Sequence, residues 1–132
     1  MLKPVPGIQS LLPQLKQTGF LLALATNVER KDTEAMISDL RWDGFFDRIL
    51  CSGEASRPKP HPEMVLSICG GLSVPPREAV FIGDTVNDMK MGKGAGLGLT
   101  VGVVEGGVTP KEELEKVADI VVESIRDLKF YG

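Results

Sequence analysis

The residues best suited to chemistry follow a short apolar run. The run at 80–82 leads into Gly83-Asp84, and a second aspartate, Asp88, comes four positions later. This pattern predicts a buried parallel strand that ends, through a tight exit at Gly83, at the edge where α/β folds bind ligands. Asp88 lies one helical turn behind Asp84, so the two carboxylates converge, and such oxygen ligands suit Mg²⁺. In the alternative interpretation, Asp84 only caps the next helix and Asp88 is a solvated acid of its first turn.

Two other predicted strand ends carry polar residues. Thr26-Asn27 follows the apolar run 20–25, and Lys59 lies in a proline-rich loop after the run 48–51. A hydroxyl with backbone N–H groups, a lysine and a carboxylate-held Mg²⁺ are what a phosphoryl group needs, because they spread the charge of its oxygens. Taken singly, Thr26 is equally well explained as a turn residue, and Lys59 is equally well explained as a solvated side chain.

Apolar periodicity predicts strands alternating with helices. The strands are predicted at 20–25, 48–51, 79–82, 97–104 and 119–122, and the helices at 8–19, 29–42, 62–69, 86–94 and 109–118, with a closing turn at 124–128. Strands this apolar indicate burial on both faces. The predicted fold class is therefore α/β, a three-layer doubly wound parallel sheet of Rossmann type, with residues 1–132 as one domain.

Prolines and glycines supply local predictions. Pro4-Val5-Pro6-Gly7 is a rigid lead-in, and Pro13 conflicts with the apolar stripe of the first helix. Gly70-Gly71 is predicted to end the third helix, whereas the glycines within 92–98 fit helix C-caps better than a dinucleotide loop. Thr109-Pro110-Lys111-Glu112 is predicted to form a capping box.

Composition limits the function classes. The chain has 132 residues and a net charge of −3, so no basic field favours nucleic acid or an anionic membrane. Its longest apolar run is too short to span a bilayer, and we expect a cytoplasmic protein. Cys51 and Cys69 are predicted to be buried, reduced thiols. His61 is the sole histidine, which excludes His-rich metal sites.

Three segments resemble motifs of the haloacid dehalogenase-like hydrolase superfamily, especially its phosphoglycolate-phosphatase-like branch. Leu21–Asn27 is similar to the second motif, Arg57–Pro62 to the third and Phe81–Asp88 to the fourth. Flanking matches extend the resemblance over nearly the whole chain. It implies Mg²⁺-dependent hydrolysis of a small phosphorylated metabolite.

The resemblance also implies residue roles. Thr26 would bind the phosphoryl oxygens, with Asn27 supporting that loop. Lys59 would neutralise those oxygens and orient the nucleophile, so that Thr26 and Lys59 are the expected catalytic residues. Asp84 would ligate Mg²⁺, and Asp88 would support the metal directly or through water.

One family feature is missing. Family members open with a strand ending in Asp-x-Asp, whose first aspartate attacks phosphorus and whose second is the general acid/base. The chain contains no Asp-x-Asp, and neither that strand nor a cap module is recognisable. We therefore expect a family core truncated on its N-terminal side, with weak or no activity alone. The alternative is a non-catalytic module that binds phosphate or a partner and assembles through exposed strand edges.

The missing strand is central in the family, between the strands that end at Thr26 and Gly83. Without it these strands would stand about 10 Å apart, and each unpaired buried backbone group would cost roughly 1 to 3 kcal/mol. Three outcomes are open: the strands pair directly, another chain or a swapped strand fills the slot, or the chain is a fragment of a longer product. A phospho-accepting receiver domain fits poorly, since Thr26 and Lys59 precede the acidic pair.

Overall fold

The computed structural model describes residues 7–129, in which five helices alternate with five strands. The helices are α1 (Ile8–Thr18), α2 (Arg30–Asp39), α3 (Glu63–Leu72), α4 (Val86–Gly94) and α5 (Lys111–Glu115). The strands are β1 (Ala23–Ala25), β2 (Arg48–Leu50), β3 (Val80–Gly83), β4 (Leu99–Val103) and β5 (Ile120–Val122). Short 3₁₀ turns lie at Pro76–Glu78 and Ile125–Asp127. Of the lead-in predicted for residues 4–7, residues 4–6 lie outside the described residues, and Gly7 is the N-cap of α1.

All strand pairs in the described chain are parallel. β1 pairs with β2, and β4 lies between β3 and β5. Val80 is opposite Leu99, and Val101 is opposite Ile120, which fixes the register of the larger sheet. The predicted α/β class with parallel strands is thus confirmed.

The helices cover both faces of the strands. Successive strand residues point to opposite faces: in β3, Phe81 packs into the cluster of α3 and α4, whereas Ile82 packs with residues of α1. In β1, Leu24 packs with α1 and α2, and Ala25 packs on the opposite side. The result is the expected three-layer arrangement.

The strands form two sheets rather than one. Within residues 7–129, β1 and β3 are not hydrogen-bonded to each other, so each has one edge without a strand partner. Residues of both strands or directly beside them nevertheless contribute to the same apolar clusters: Ala25 and Phe81 on one face, and Leu22, directly before β1, with Ile82 on the other. Direct pairing across the gap, one of the three expected outcomes, is therefore wrong for these residues.

Helix α1 joins the two sheets on one face and retains its internal proline. Leu11 and Leu15 pack with residues of the larger sheet, and Leu12 packs with residues of the smaller one. Pro13 lies inside the helix. An interior proline costs about 3 kcal/mol, but burial of each leucine contributes about 1.5–3 kcal/mol. Packing therefore outweighs the local conflict.

Two predicted helix boundaries are wrong. The third helix continues through Gly70 and Gly71 to Leu72. A Cβ on Gly71 would lie 2.8 Å from the Arg48 guanidinium carbon, so this glycine permits close packing instead of ending the helix. The helix ends at Ser73, which takes a left-handed conformation with φ of 56°.

The capping box predicted at Thr109 is absent. Pro110, rather than Thr109, is the N-cap of α5, and no side chain caps that helix. Thr109 thus stands one residue too early. The capping box found in the described chain joins Ser124 to Asp127 at the C-terminal 3₁₀ turn.

Cys51 and Cys69 are free and buried, as predicted. Among the described helices, none combines the length and apolar character needed to cross a membrane.

Candidate active site

The first turn of α4 places Asp88 beneath the end of β3. Thr85 is the N-cap of the helix, and its Oγ1 accepts a hydrogen bond of 3.1 Å from the Asp88 N–H. This bond fixes the start of the helix, and only 6% of Asp88 is exposed. The alternative interpretation is therefore wrong on both points: Asp84 is not the cap, and Asp88 is not solvated.

Lys59 reaches Asp88 from the loop after β2. Its Nζ donates a hydrogen bond to Asp88 Oδ1 at 2.6 Å, and the two side chains are 11% and 9% exposed. A charge-assisted bond with so little solvent is stronger than a neutral one. Lys59 is consequently not the solvated loop residue of the alternative interpretation.

Bonds within the loop hold Lys59 in place. The Arg57 N–H donates to Glu63 Oε2 at 3.1 Å, and the Glu63 N–H donates to His61 Nδ1 at the same distance. Arg57 Nη1 also lies 3.0 Å from His61 Nε2. These contacts close the segment 57–63 on itself, so the ammonium group is presented from a braced loop.

Asp84, directly after β3, completes a cluster of three charges. Burial raises the pKa of the Asp84 carboxyl, and the negative charge of Asp88 raises it further, while Lys59 opposes the shift. The three groups therefore interact electrostatically. With all three ionised, the cluster carries one excess negative charge, which a bound cation would offset.

The donor set fits Mg²⁺. In the part of the chain that the structure describes, no group of three or more His, Cys, Asp or Glu side chains could hold a metal. Asp84 and Asp88 together offer carboxylate oxygens alone. Mg²⁺ is usually bound through one or two carboxylates and keeps several waters, whereas structural Zn²⁺ takes four protein ligands.

Thr26 lies at the end of β1, as predicted. Its N–H donates to Leu50 O at 3.0 Å, which extends the pairing of β1 with β2, and its Oγ1 accepts a bond of 3.1 Å from the Val28 N–H. Thr26 thus forms the turn that its position suggested, and Asn27 is exposed. Among residues 7–129, no hydrogen bond links either residue to Lys59, Asp84 or Asp88. Their role in binding phosphate stays a prediction.

Two glycines lie so close to Asp84 and Asp88 that neither position has room for a Cβ atom. A Cβ on Gly83 would lie 2.8 Å from both Cβ and Oδ2 of Asp88, and one on Gly107 would lie 2.9 Å from Cβ and Oδ2 of Asp84. Gly83 is not among the described residues with positive φ, so close packing rather than a strained turn explains it. Sequence analysis missed Gly107, although the Gly106-Gly107 pair after β4 was a visible signal.

Comparisons with known proteins identify the family of the chain. The model of the family described as haloacid dehalogenase-like hydrolase matches residues 1–102. The chain belongs to this family. Its similarity to phosphoglycolate phosphatases places it in the branch that resembles those enzymes.

Individual relatives share the core and extend beyond it. The phosphoglycolate phosphatase of Pasteurella multocida is 34% identical over 74% of this chain and 45% of its own length. The N-acetylmuramic acid 6-phosphate phosphatase of Pseudomonas aeruginosa is 30% identical over 96% of this chain and 56% of its own. A crystal structure of β-phosphoglucomutase from Clostridium difficile superposes with a TM-score of 0.79 at 32% identity, covering 96% of this chain and 52% of that one. The chain thus spans about half the length of these relatives.

Proposed function

We propose that this chain supplies the phosphate- and Mg²⁺-binding part of a site that hydrolyses a small phosphomonoester. The observation that carries the proposal is the buried contact of Lys59 with Asp88 beside the half-buried Asp84. The three relatives described above are named for acting on phosphorylated glycolate or sugars, which supports the substrate class.

Each residue has a distinct role in the proposed site. Asp84 would hold Mg²⁺, and Asp88 would support it while keeping the Lys59 ammonium in position. The bound cation would supply charge neutralisation to the phosphoryl oxygens. Lys59 would donate to those oxygens from its braced loop, and Thr26, with the N–H groups around Asn27, would donate to the remaining ones.

The chain offers no nucleophile of the Asp-x-Asp type, because that pattern is absent from its 132 residues. Binding and charge stabilisation alone leave the covalent route without its attacking group. We therefore expect the chain to bind Mg²⁺ and phosphate, and to turn over substrate weakly or not at all.

The proposal is tested by calorimetric titration of the chain with Mg²⁺ and then with inorganic phosphate. Asp84→Asn should abolish Mg²⁺ binding, and Lys59→Met should weaken phosphate binding. Lys111→Met is the matched control, because among residues 7–129 Lys111 forms an ion pair only with exposed Glu123, at 3.2 Å. Absence of Mg²⁺ binding by the unaltered chain would refute the proposal. Robust hydrolysis of p-nitrophenyl phosphate that Asp84→Asn removes would refute the inference about the nucleophile.

A second candidate function rests on the edges of β1 and β3 that have no strand partner within residues 7–129. Parallel strands with unpaired edges bind extended segments by strand addition, and Leu21 and Val80, near the starts of the two strands, are 53% and 48% exposed. A complementing segment of another chain, or of a second copy, would pair with both edges. Such an assembly would make the chain a partner-binding module.

Light scattering after size-exclusion chromatography tests self-assembly. Dimers that Leu21→Lys disrupts, while the exposed control Leu66→Lys does not, would favour a second copy as the occupant. A strict monomer at millimolar concentration would rule this out.

A cytoplasmic location is also proposed, supported by the two unpaired cysteines.

A further inference from the structure

The loop between β4 and α5 passes directly over Asp84. A Cβ on Gly107 would lie 2.9 Å from Asp84 Cβ, 2.9 Å from Oδ2 and 3.2 Å from Cγ. Real Cβ atoms essentially never approach other heavy atoms within 3.0 Å, so a side chain at position 107 has no room unless Asp84 moves. Val108, the next residue, is 97% exposed and points into solvent.

Backbone hydrogen bonds hold the part of this loop that leads from β4 to Gly107. The Val104 and Glu105 N–H groups donate to the carbonyl oxygens of Val122 and Glu123 at 3.0 and 2.8 Å, which continues the pairing of β4 with β5. The Gly107 N–H donates to Val104 O at 3.2 Å and closes the turn. The loop therefore cannot move outward without breaking backbone hydrogen bonds.

The requirement for glycine at position 107 arises from Asp84. The three heavy atoms nearest to a Cβ at this position would all belong to the Asp84 side chain. Gly106 has a φ of 88°, a conformation that favours glycine, but Gly107 is not among the positive-φ residues described. Alanine at 107 is thus compatible with the backbone and conflicts with one side chain.

We propose that Gly107 is a positioning residue for Asp84, holding its carboxylate at the place where the proposed Mg²⁺ site needs it. The proposal rests on the proposed function. Because one of the contacts is to Asp84 Cβ, rotation of the carboxylate alone does not relieve the clash. A methyl group at 107 would displace the whole side chain from its present position.

The test is Gly107→Ala, with Gly70→Ala as the matched control because a Cβ on Gly70 meets no atom within 4 Å. Two quantities are measured: the Mg²⁺ dissociation constant by calorimetry and the ¹³C resonance of the Asp84 carboxyl in metal-free protein. Gly107→Ala should weaken Mg²⁺ binding about tenfold or more and move the Asp84 resonance. Gly70→Ala should change neither.

The outcomes separate the two proposals. If the unaltered chain binds no Mg²⁺, the proposed function is wrong, and an Asp84 resonance that Gly107→Ala leaves in place refutes the positioning role as well. If the chain binds Mg²⁺ and Gly107→Ala binds it equally, only the positioning role is wrong. If Gly107→Ala reduces stability, a double-mutant cycle with Asp84→Ala keeps the positioning role testable. Gly107→Ala should lower the free energy of unfolding more in the parent than in the Asp84→Ala variant. An equal loss in both backgrounds would refute the role.

Discussion

The Lys59 Nζ atom lies 2.6 Å from Asp88 Oδ1, and this bond joins the two sheets of the molecule. Lys59 follows β2 of the smaller sheet, whereas Asp88 belongs to the helix after β3 of the larger one. In the part of the chain that the structure describes, no strand pairing joins the two sheets, so the Lys59–Asp88 pair connects them at the proposed site. The contact thus has a structural consequence as well as a chemical one.

Lys59→Met should destabilise the protein strongly. It leaves the Asp88 carboxylate buried without its partner, and removing one member of a buried pair costs about 3–5 kcal/mol. Lys111→Met, which breaks an exposed pair, should cost about 0–1 kcal/mol. Urea denaturation followed by circular dichroism gives both values. Equal losses for the two variants would contradict the buried role of Lys59.

Asp84→Asn should stabilise the metal-free protein at neutral pH. The folded-state pKa of Asp84 is raised above 3.8 by burial and by Asp88, so the folded protein binds more protons than the unfolded chain as Asp84 titrates. Stability therefore falls as pH rises from 3.8 through the raised pKa, and asparagine avoids that loss.

The measurement for Asp84 is the unfolding free energy against pH in the presence of a chelator. The advantage of Asp84→Asn over the parent should appear above the raised pKa and vanish below pH 3.8. Saturating Mg²⁺ should make the parent more stable than Asp84→Asn at neutral pH, because only the parent binds the metal. A ligand present at a hundred times its Kd stabilises a protein by about 2.7 kcal/mol. A variant less stable than the parent without metal would contradict the pKa direction.

Glu54→Gln should remove part of the acid sensitivity of the fold. Hydrogen bonding from Arg30 and from the Cys51 N–H lowers the pKa of Glu54 to about 2, from 4.5. The contribution of the Glu54 carboxylate to the free energy of unfolding is present above pH 4.5 and is lost as pH falls towards 2. The variant should be less stable than the parent at pH 7, with a gap that narrows below pH 4.5. Glu34→Gln, whose carboxylate is 3.9 Å from Arg30 and 64% exposed, should show little of this behaviour.

Thr26→Val tests the proposed role of Thr26 in binding phosphate. The Oγ1 atom accepts from the Val28 N–H at 3.1 Å, so its loss should cost about 0.5–1.5 kcal/mol of stability and weaken phosphate binding about tenfold. Thr26→Ser keeps the hydroxyl and should retain both properties. Phosphate affinity unchanged in Thr26→Val would limit Thr26 to its role in the turn.

Alternating apolar runs are enough to predict the order of helices and strands, because burial on both faces leaves a continuous apolar signature. Local signals are less reliable. Gly71 has the position of a helix terminator in the sequence, but it packs against Arg48, a neighbour distant in sequence. Thr109 matches a capping pattern, although the helix begins one residue later than that pattern requires.

The site is predictable in its residue types but not in its contacts. Strand ends indicate that Lys59 and Asp88 meet near one edge, yet neither their direct bond nor their burial follows from spacing alone. Gly107 escapes sequence reasoning because its requirement comes from a side chain 23 positions away. A contact between residues so far apart in sequence depends on how the loop after β4 folds back over β3, which periodicity does not encode.

The single tryptophan reports on one half of the molecule. Trp42 is buried beside Phe46, 6.2 Å away in an edge-to-face arrangement, within the cluster that α1 and α2 form on the smaller sheet. Its fluorescence therefore follows melting of that half, whereas far-ultraviolet dichroism averages over both. Coincident transitions would mean that two separate ladders melt as one cooperative unit, and split transitions would mean that the gap between β1 and β3 is also a boundary of cooperativity.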